Sequence, residues 1–268
     1  MAIATLDGVI GGMRPPEEIL KVGSVAEAVG VFHSHFYSAG RPGAAAAPSP
    51  GVAGEALTAY DGQIPFVNPG SGNTYLARLA MAATTVCSVI LADRLWQNSG
   101  IILTTTGTQG WTPVAIPARD RDGGTDGEGV MAGIEVSSAT GNGGNITNTT
   151  ISYTNQAGTA GRTGTVANFP ATAVAGFFVP IALQAGDTGI RSIESIALGT
   201  SYVSGAIHLV LYRPLARLSL PVANVGSELD ALTGGFVRCY DNTVPFLLQG
   251  TSLATATTLV GQVIFTQG

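Results

Sequence analysis

Turn-forming residues cut this chain into pieces too short for long helices. Thirty-seven glycines and fourteen prolines are spread through its 268 residues. Between them lie short runs rich in Val, Ile, Thr and aromatic residues, which suit a pleated, half-buried surface. Candidate strands cover 63–67, 74–90, 101–106, 130–137, 149–154, 163–167, 177–183, 189–198, 206–220 and 259–266. The run Thr150-Ile151-Ser152-Tyr153-Thr154 alternates cleanly, and the polar loop 155–161 leads from it into Arg162-Thr163-Gly164-Thr165-Val166, a hairpin pattern. Residues 77–82 carry helical propensity, but the Thr-Thr-Val-Cys-Ser-Val-Ile that follows does not, so the stretch reads as strand. Short strands with few helices predict an all-β fold with a β-sandwich or jelly-roll-like body, a partly extended N-terminal arm and a few short helices. A chain of this length can bury a large core, as one body or two smaller ones.

Residues 1–51 differ from the rest and read as an N-terminal arm and linker, with 52–268 as the body. A short helix is expected from Leu6, with Thr5 as its N-cap and Gly11-Gly12 at its end. Pro16 suits the first turn of a second helix, with Glu17 and Glu18 at its positive end. Residues 31–37 favour a strand, and Gly40 to Gly51, with its prolines and four alanines, reads as an extended linker. Residues 228–233, followed by Gly234-Gly235, read as one more short helix. The segments 60–66 and 240–246 echo each other (Tyr-Asp-Gly-Gln-Ile-Pro-Phe, Tyr-Asp-Asn-Thr-Val-Pro-Phe) and read as two similar edge turns, each with a proline that blocks further pairing.

Charge is scarce. Charged residues make up 11 %, the formal net charge is -5, and Lys21 is the one lysine. That balance lacks the basic footprint of a nucleic-acid binder or of a membrane-surface helix. A surface of Thr, Ser and Asn costs little to desolvate when a neighbouring subunit covers it, which favours a chain that lives in an assembly. Cys87 and Cys239 lie far apart among apolar neighbours and read as buried free thiols. The most apolar stretch, 79–92, is too short to span a bilayer. No basic and apolar leader opens the sequence, so synthesis in the cytoplasm is the default.

Clusters that could carry chemistry have plainer readings. Asp120, Asp122, Asp126 and Glu128 could wrap a calcium ion, but Gly124 falls where the EF-hand spacing needs a ligand, so Asp120–Glu128 reads as a solvated loop. His33 and His35 share a strand face as half a metal site would, with no third ligand signposted, and His208 sits in an apolar strand. Asp93 and Arg94 look like a buried charge pair beside Trp96. Asp187, Arg191 and Glu194 are expected to hold a turn or an intersubunit bridge. No serine elbow pairs with a histidine, and no phosphate loop is present. The expectation is a non-enzyme with no catalytic, cofactor-binding or metal residues. Phe32, Phe36, Tyr37, Trp96 and Trp111 are the candidate interface anchors by residue type.

Several segments resemble those of known proteins. They are Ile64-Pro-Phe-Val-Asn-Pro69, Leu91-Ala-Asp-Arg-Leu-Trp-Gln-Asn-Ser-Gly100, Ser152-Tyr-Thr-Asn-Gln-Ala-Gly-Thr-Ala-Gly-Arg162, Leu183-Gln-Ala-Gly-Asp-Thr-Gly-Ile-Arg-Ser192 and Asp241-Asn-Thr-Val-Pro-Phe246. Together the sequence resembles a group of virion structural proteins of tailed bacteriophages, encoded near the major capsid protein. The resemblance implies a capsid decoration (cement) protein that is made in the bacterial host cytoplasm and located in the virion. Its partners would be the major capsid protein and copies of itself, a trimer among the options, with no nucleic acid, membrane or cofactor. The alternatives are a tail tube, neck or baseplate protein, and a carbohydrate-binding jelly-roll module using Trp96 or Trp111.

Overall fold

The computed structural model describes residues 3, 5–23, 30–251 and 253–268. Among these residues it is nearly all β, with one helix, α1 (Leu6–Gly11), and seventeen strands. The strands are β1 (Glu17–Lys21), β2 (Phe32–Ser34), β3 (Gly40–Arg41), β4 (Glu55–Ala56), β5 (Thr74–Ala83), β6 (Cys87–Gln97), β7 (Thr108–Gly110), β8 (Met131–Ser138) and β9 (Thr150–Asn155). They continue with β10 (Arg162–Thr165), β11 (Phe177–Pro180), β12 (Ile190–Ala197), β13 (Ala206–Leu220), β14 (Ser227–Asp230), β15 (Arg238–Cys239), β16 (Pro245–Thr251) and β17 (Leu259–Gln267). No helix among the described residues is long and apolar enough to cross a membrane. The chain divides into two compact units, one of residues 1–45, 59–93 and 214–268, the other of residues 46–58 and 94–213.

The first unit is built on an antiparallel sheet in the order β14-β5-β17-β1-β3, with β15 also paired to β5. Strand alternation sorts its side chains. Leu76, Leu79 and Met81 of β5, Val263 and Phe265 of β17 and Ile19 of β1 enter a core shared with Val89 and Leu91 of β6, Leu247 of β16 and Leu215, Leu218 and Leu220 of β13. Within the same unit β16 pairs antiparallel with residues 87–93 of β6 on one side and with β2 on the other.

The second unit contains a four-stranded sheet, β10-β9-β12-β7. In it β8 lies between β11 and the Ala206–Tyr212 half of β13, all antiparallel. On β9 the alternation puts Ile151 and Tyr153 inside, beside Ile193 and Ile196 of β12. Phe169 and Tyr202 meet edge-on with ring centres 4.4 Å apart, and Phe178 meets Tyr212 at 5.4 Å.

Several expectations need correction. The helix expected from Pro16 is strand β1, because Glu17 to Lys21 pair residue by residue with Val263 to Leu259. Pairing and the burial of Ile19 outweigh the local helix-start signal. Within the stretch read as arm and linker, β1 lies inside a sheet between β17 and β3. The helix expected at 228–233 is strand β14 followed by a turn in which Asp230 Oδ1 accepts from the Leu232 and Thr233 amides at 3.0 and 2.9 Å. Residues 63–67 and 101–106 form no strand, and the long run 74–90 is split by a turn at 84–86. The echoing segments lie side by side: Ile64 N donates to Pro245 O at 2.9 Å, and the Asn68 and Asn242 side chains bond each other at 2.7 Å. Pro245 does not end pairing, because it opens β16 opposite Asp93.

Candidate functional site

The broad open feature of the first unit is the solvent face of its β14-β5-β17-β1-β3 sheet, a shallow groove of about 1030 Å³. Register builds it from two rows. Arg41, Leu20, Val260 and Ala82 stand opposite one another in turn across β3, β1, β17 and β5. Glu18, Gln262, Ala80 and Glu228 do the same across β1, β17, β5 and β14. The floor is apolar and small-sided, with Leu20 42 % and Val260 51 % exposed. Gly261, on the inward side between Ile19 and Met81, cannot carry a Cβ, which would run into the Ala80 carbonyl and the Met81 sulfur. At one rim Arg41 pairs with Glu18 at 2.5 Å, and at the other Arg78 pairs with Glu228. These solvated pairs add little stability, and with Asp230 opposite Arg78 the rims carry two positive and three negative charges. The groove was not legible as a site in the sequence; its only signal is the small-residue run Ala80-Met81-Ala82-Ala83.

Near the other end of β17, helix α1 buries none of its residues. Thr5 caps it by accepting from Gly8 N at 3.1 Å, as expected. Leu6 and Ile10, one turn apart on one face, are each 57 % exposed. The helix is fixed in place: Thr266 Oγ1 donates to Val9 O at 2.7 Å, and Arg14 N donates to Phe265 O at 2.9 Å.

The polar residues singled out in the sequence are tied into the fold. Asp120 is buried and its carboxylate accepts from the backbone amides of Asp122, Gly124 and Gly127 at 3.0, 2.7 and 3.0 Å. Arg121 pairs with Glu128, and Arg191 with Asp126. The loop is thus organised by its own amides and arginines. Among the described residues no group of three or more His, Cys, Asp and Glu side chains could hold a metal. Asp187 holds a turn: it accepts from Tyr153 Oη at 2.5 Å, from Asn155 Nδ2 at 2.7 Å and from two Arg162 nitrogens at 2.9 and 3.0 Å. Arg162, with Tyr153 and Asn155, holds its carboxyl down to about 2. Glu194 accepts from Thr154 and Ser192 hydroxyls. Arg94 is fully buried and pairs with Glu135 through two bonds of 2.9 and 2.6 Å. Asp93 accepts from Val244 N at 2.8 Å.

The histidines and the lysine are structural as well. His33 and His35 are buried with ring centres 5.1 Å apart. His35 Nε2 lies 2.6 Å from Gln249 Oε1, and Nδ1 lies 3.1 Å from Ser38 Oγ, so a neutral ring with Nε2–H satisfies both. Burial, aided by His33, pushes its pKa down to about 3. His208 donates from Nδ1 to Asn98 O at 2.8 Å and meets Ser137 Oγ at 2.6 Å, and burial lowers its pKa. Lys21 is 2 % exposed and donates to the Ser38, Pro42 and Gly43 carbonyls at 3.3, 2.9 and 3.3 Å. Burial pushes its pKa down to about 8. Of the two thiols, both free, Cys239 is buried and Cys87 only half-buried.

Two of the five aromatic anchors belong to the chain's own interior. Phe36 is 1 % exposed, stacked on Tyr60 at 5.4 Å with its edge toward Phe246 at 6.0 Å. Trp96 is also 1 % exposed, and Gly54, at φ +74, leaves room for its indole where any Cβ would strike it. Rings enclosed in this way have no face to offer a partner. Phe32, Tyr37 and Trp111 are half-buried and keep some exposed area. No protein-family model, curated protein or solved structure matches this chain.

Proposed function

We propose that this chain is a structural component of a tailed-bacteriophage virion, a decoration protein that binds the outside of the capsid shell. On this reading its partners are the major capsid protein and further copies of itself. It carries out no catalysis and takes no cofactor, nucleic acid or membrane, and its antiparallel sheets make up a sandwich or jelly-roll type of body. Beside the sequence resemblance, one observation supports it most: the ionisable groups inside the fold are bonded to the scaffold. Arg94 is held by Glu135, Asp120 by three amides, Asp187 by Tyr153, Asn155 and Arg162, and His35 by Gln249 and Ser38. What faces solvent across the first unit's sheet is a broad, small-sided apolar surface between neutral ion pairs. Such a surface supplies contact area. Shallow contacts repeated over a lattice add through multivalency, and binding the assembled shell in preference to its free subunits stabilises the shell.

The test is addition of purified protein to shells that lack it. Saturable binding at a fixed ratio to the major capsid protein, with a higher temperature of shell disruption, is expected. Failure to bind, or absence of the chain from purified particles, overturns the proposal. Rods or rings formed by the pure protein would reassign it to tail tube, neck or baseplate, and saccharide binding lost on Trp111→Ala would reassign it to a carbohydrate-binding module.

A further inference from the structure

We infer that Ser137 is an activated hydroxyl that takes a short acyl group from an activated ester or thioester, with His208 as the base that receives its proton. The groups involved all lie in the second unit. Ser137 Oγ is 2.6 Å from His208 Nε2, and His208 Nδ1 is 2.8 Å from the Asn98 carbonyl oxygen. A carbonyl can only accept, so Nδ1 carries the ring proton and Nε2 is bare. The Ser137 hydroxyl therefore donates to Nε2. That is the nucleophile, base and orienter arrangement of acyl transfer. Asn98 is itself clamped. Its amide donates to Leu209 O at 3.1 Å, its Oδ1 accepts from Leu209 N at 2.8 Å, and its Nδ2 donates to Val52 O at 3.3 Å. The carbonyl that sets the tautomer is thus held in place. Only Nδ1 of the ring is spent on the scaffold, so tying the fold together and activating a hydroxyl are compatible. The buried Glu135, opposite His208 on β8, raises its pKa and Arg94 lowers it, and burial decides the direction, downward, which leaves the ring neutral at pH 7.

The local backbone gives the serine its opening. β8 and β13 pair Val136 with Ile207 and Ser138 with Ala206, so Ser137 is the extra residue of a β-bulge and faces no residue of β13. A bulge re-aims the side chain it carries. Gly205, at φ +99, lies against the Ser138 and Ala139 carbonyls where a Cβ would not fit, which lets the chain enter β13 close beside the bulge. Ser137 is half-buried and His208 only 3 % exposed, so the oxygen can be reached while the base is shielded. Ser38 supplies the contrast. It makes a similar bond to His35, at 3.1 Å, but is itself 4 % exposed and closed to an ester. In the transfer, Ser137 Oγ attacks the carbonyl carbon. The Oγ–C bond forms as the bond to the departing alkoxide or thiolate breaks, and the serine proton passes to Nε2 and leaves with that oxygen or sulfur. The acyl group then stands over Nε2 and closes it to water, so transfer stops after one group. The step modifies the chain without turnover, and it neither rests on the shell reading nor alters it.

The test treats the full chain with p-nitrophenyl acetate, follows nitrophenol release, and locates the acetyl group by peptide mass mapping. Wild type is expected to release one equivalent and stop, with the acetyl group on Ser137. Ser137→Ala should keep the wild-type circular dichroism and lose the reaction, and Ser137→Cys should restore it. His208→Gln should slow acetylation about a hundredfold. If that variant loses its fold, the wild-type rate against pH reads the base instead: it should rise to a plateau with a midpoint below 6.5, the ordinary histidine value. An acetyl group found on Ser138, Ser38 or an amine in place of Ser137, release that continues past one equivalent, or a rate that climbs with hydroxide and shows no such midpoint would each overturn the inference. Shell binding plays no part in these measurements, so the two readings fail separately.

Discussion

The buried base His35 contributes to how this fold answers acid. His35 is held neutral between Gln249 and Ser38, with His33 and Lys21 as the cationic groups near it. Its folded pKa, about 3, lies below the unfolded value of 6.5. The stability it confers is complete above pH 6.5 and is lost as pH falls toward 3, because the unfolded chain takes up a proton that the folded one refuses. By pH 5 this amounts to about 2 kcal/mol. Urea midpoints at pH 7 and pH 5 should differ by less in His35→Gln than in wild type. Lys21 acts in the opposite range. Its folded pKa, about 8, lies below 10.5, so the folded chain binds fewer protons between those values and stability rises with pH through that window. Tyr202 and Tyr212, pushed up to about 12 by burial, reverse the trend above pH 10. Comparing wild type with Lys21→Met between pH 8 and 10 should show the smaller rise in the variant.

At the scale of strands, the contacts that matter most join residues far apart in sequence. Arg94 on β6 and Glu135 on β8 are both fully buried. Arg94→Met removes the cation that faces the buried Glu135 carboxylate and should cost about 3–5 kcal/mol. The double change Arg94→Met with Glu135→Leu should recover much of that loss, as a double-mutant cycle in urea would show. These partnerships also explain what could be read from the sequence. The boundaries of β13 are read correctly because its leucine-rich apolar run lies between Gly205 and Pro221. Thr5 and Gly12 mark α1 correctly because capping is local. β1 and β14 are misread because Pro16 with Glu17 and Glu18, and Glu228 with Gly234 and Gly235, carry local helix chemistry that pairing to β17 and β5 overrides. Glu135 as the partner of Arg94 could not be inferred, since nothing marks a pairing across a separation of 41 residues. The groove eluded the reading for the same reason, as its rows exist only once β1, β17 and β5 are in register.

At the largest scale, the early residues are built into the first unit's sheet. β1 lies between β17 and β3, and its Ile19 and Lys21 are buried. Deleting residues 1–21 would expose the β17 edge and empty those sites, so the product should melt many degrees lower than wild type or fail to fold by circular dichroism. Deleting residues 1–12 removes α1 and leaves β1 intact, so it should keep most of the melting temperature. The location of Lys21 has a practical consequence. A protease that cuts only after lysine has a single target in this chain, and the folded sheet conceals it. Each cleavage event would then report an opening of the first unit's sheet around β1, and the rate at which two fragments appear would measure how often that opening occurs.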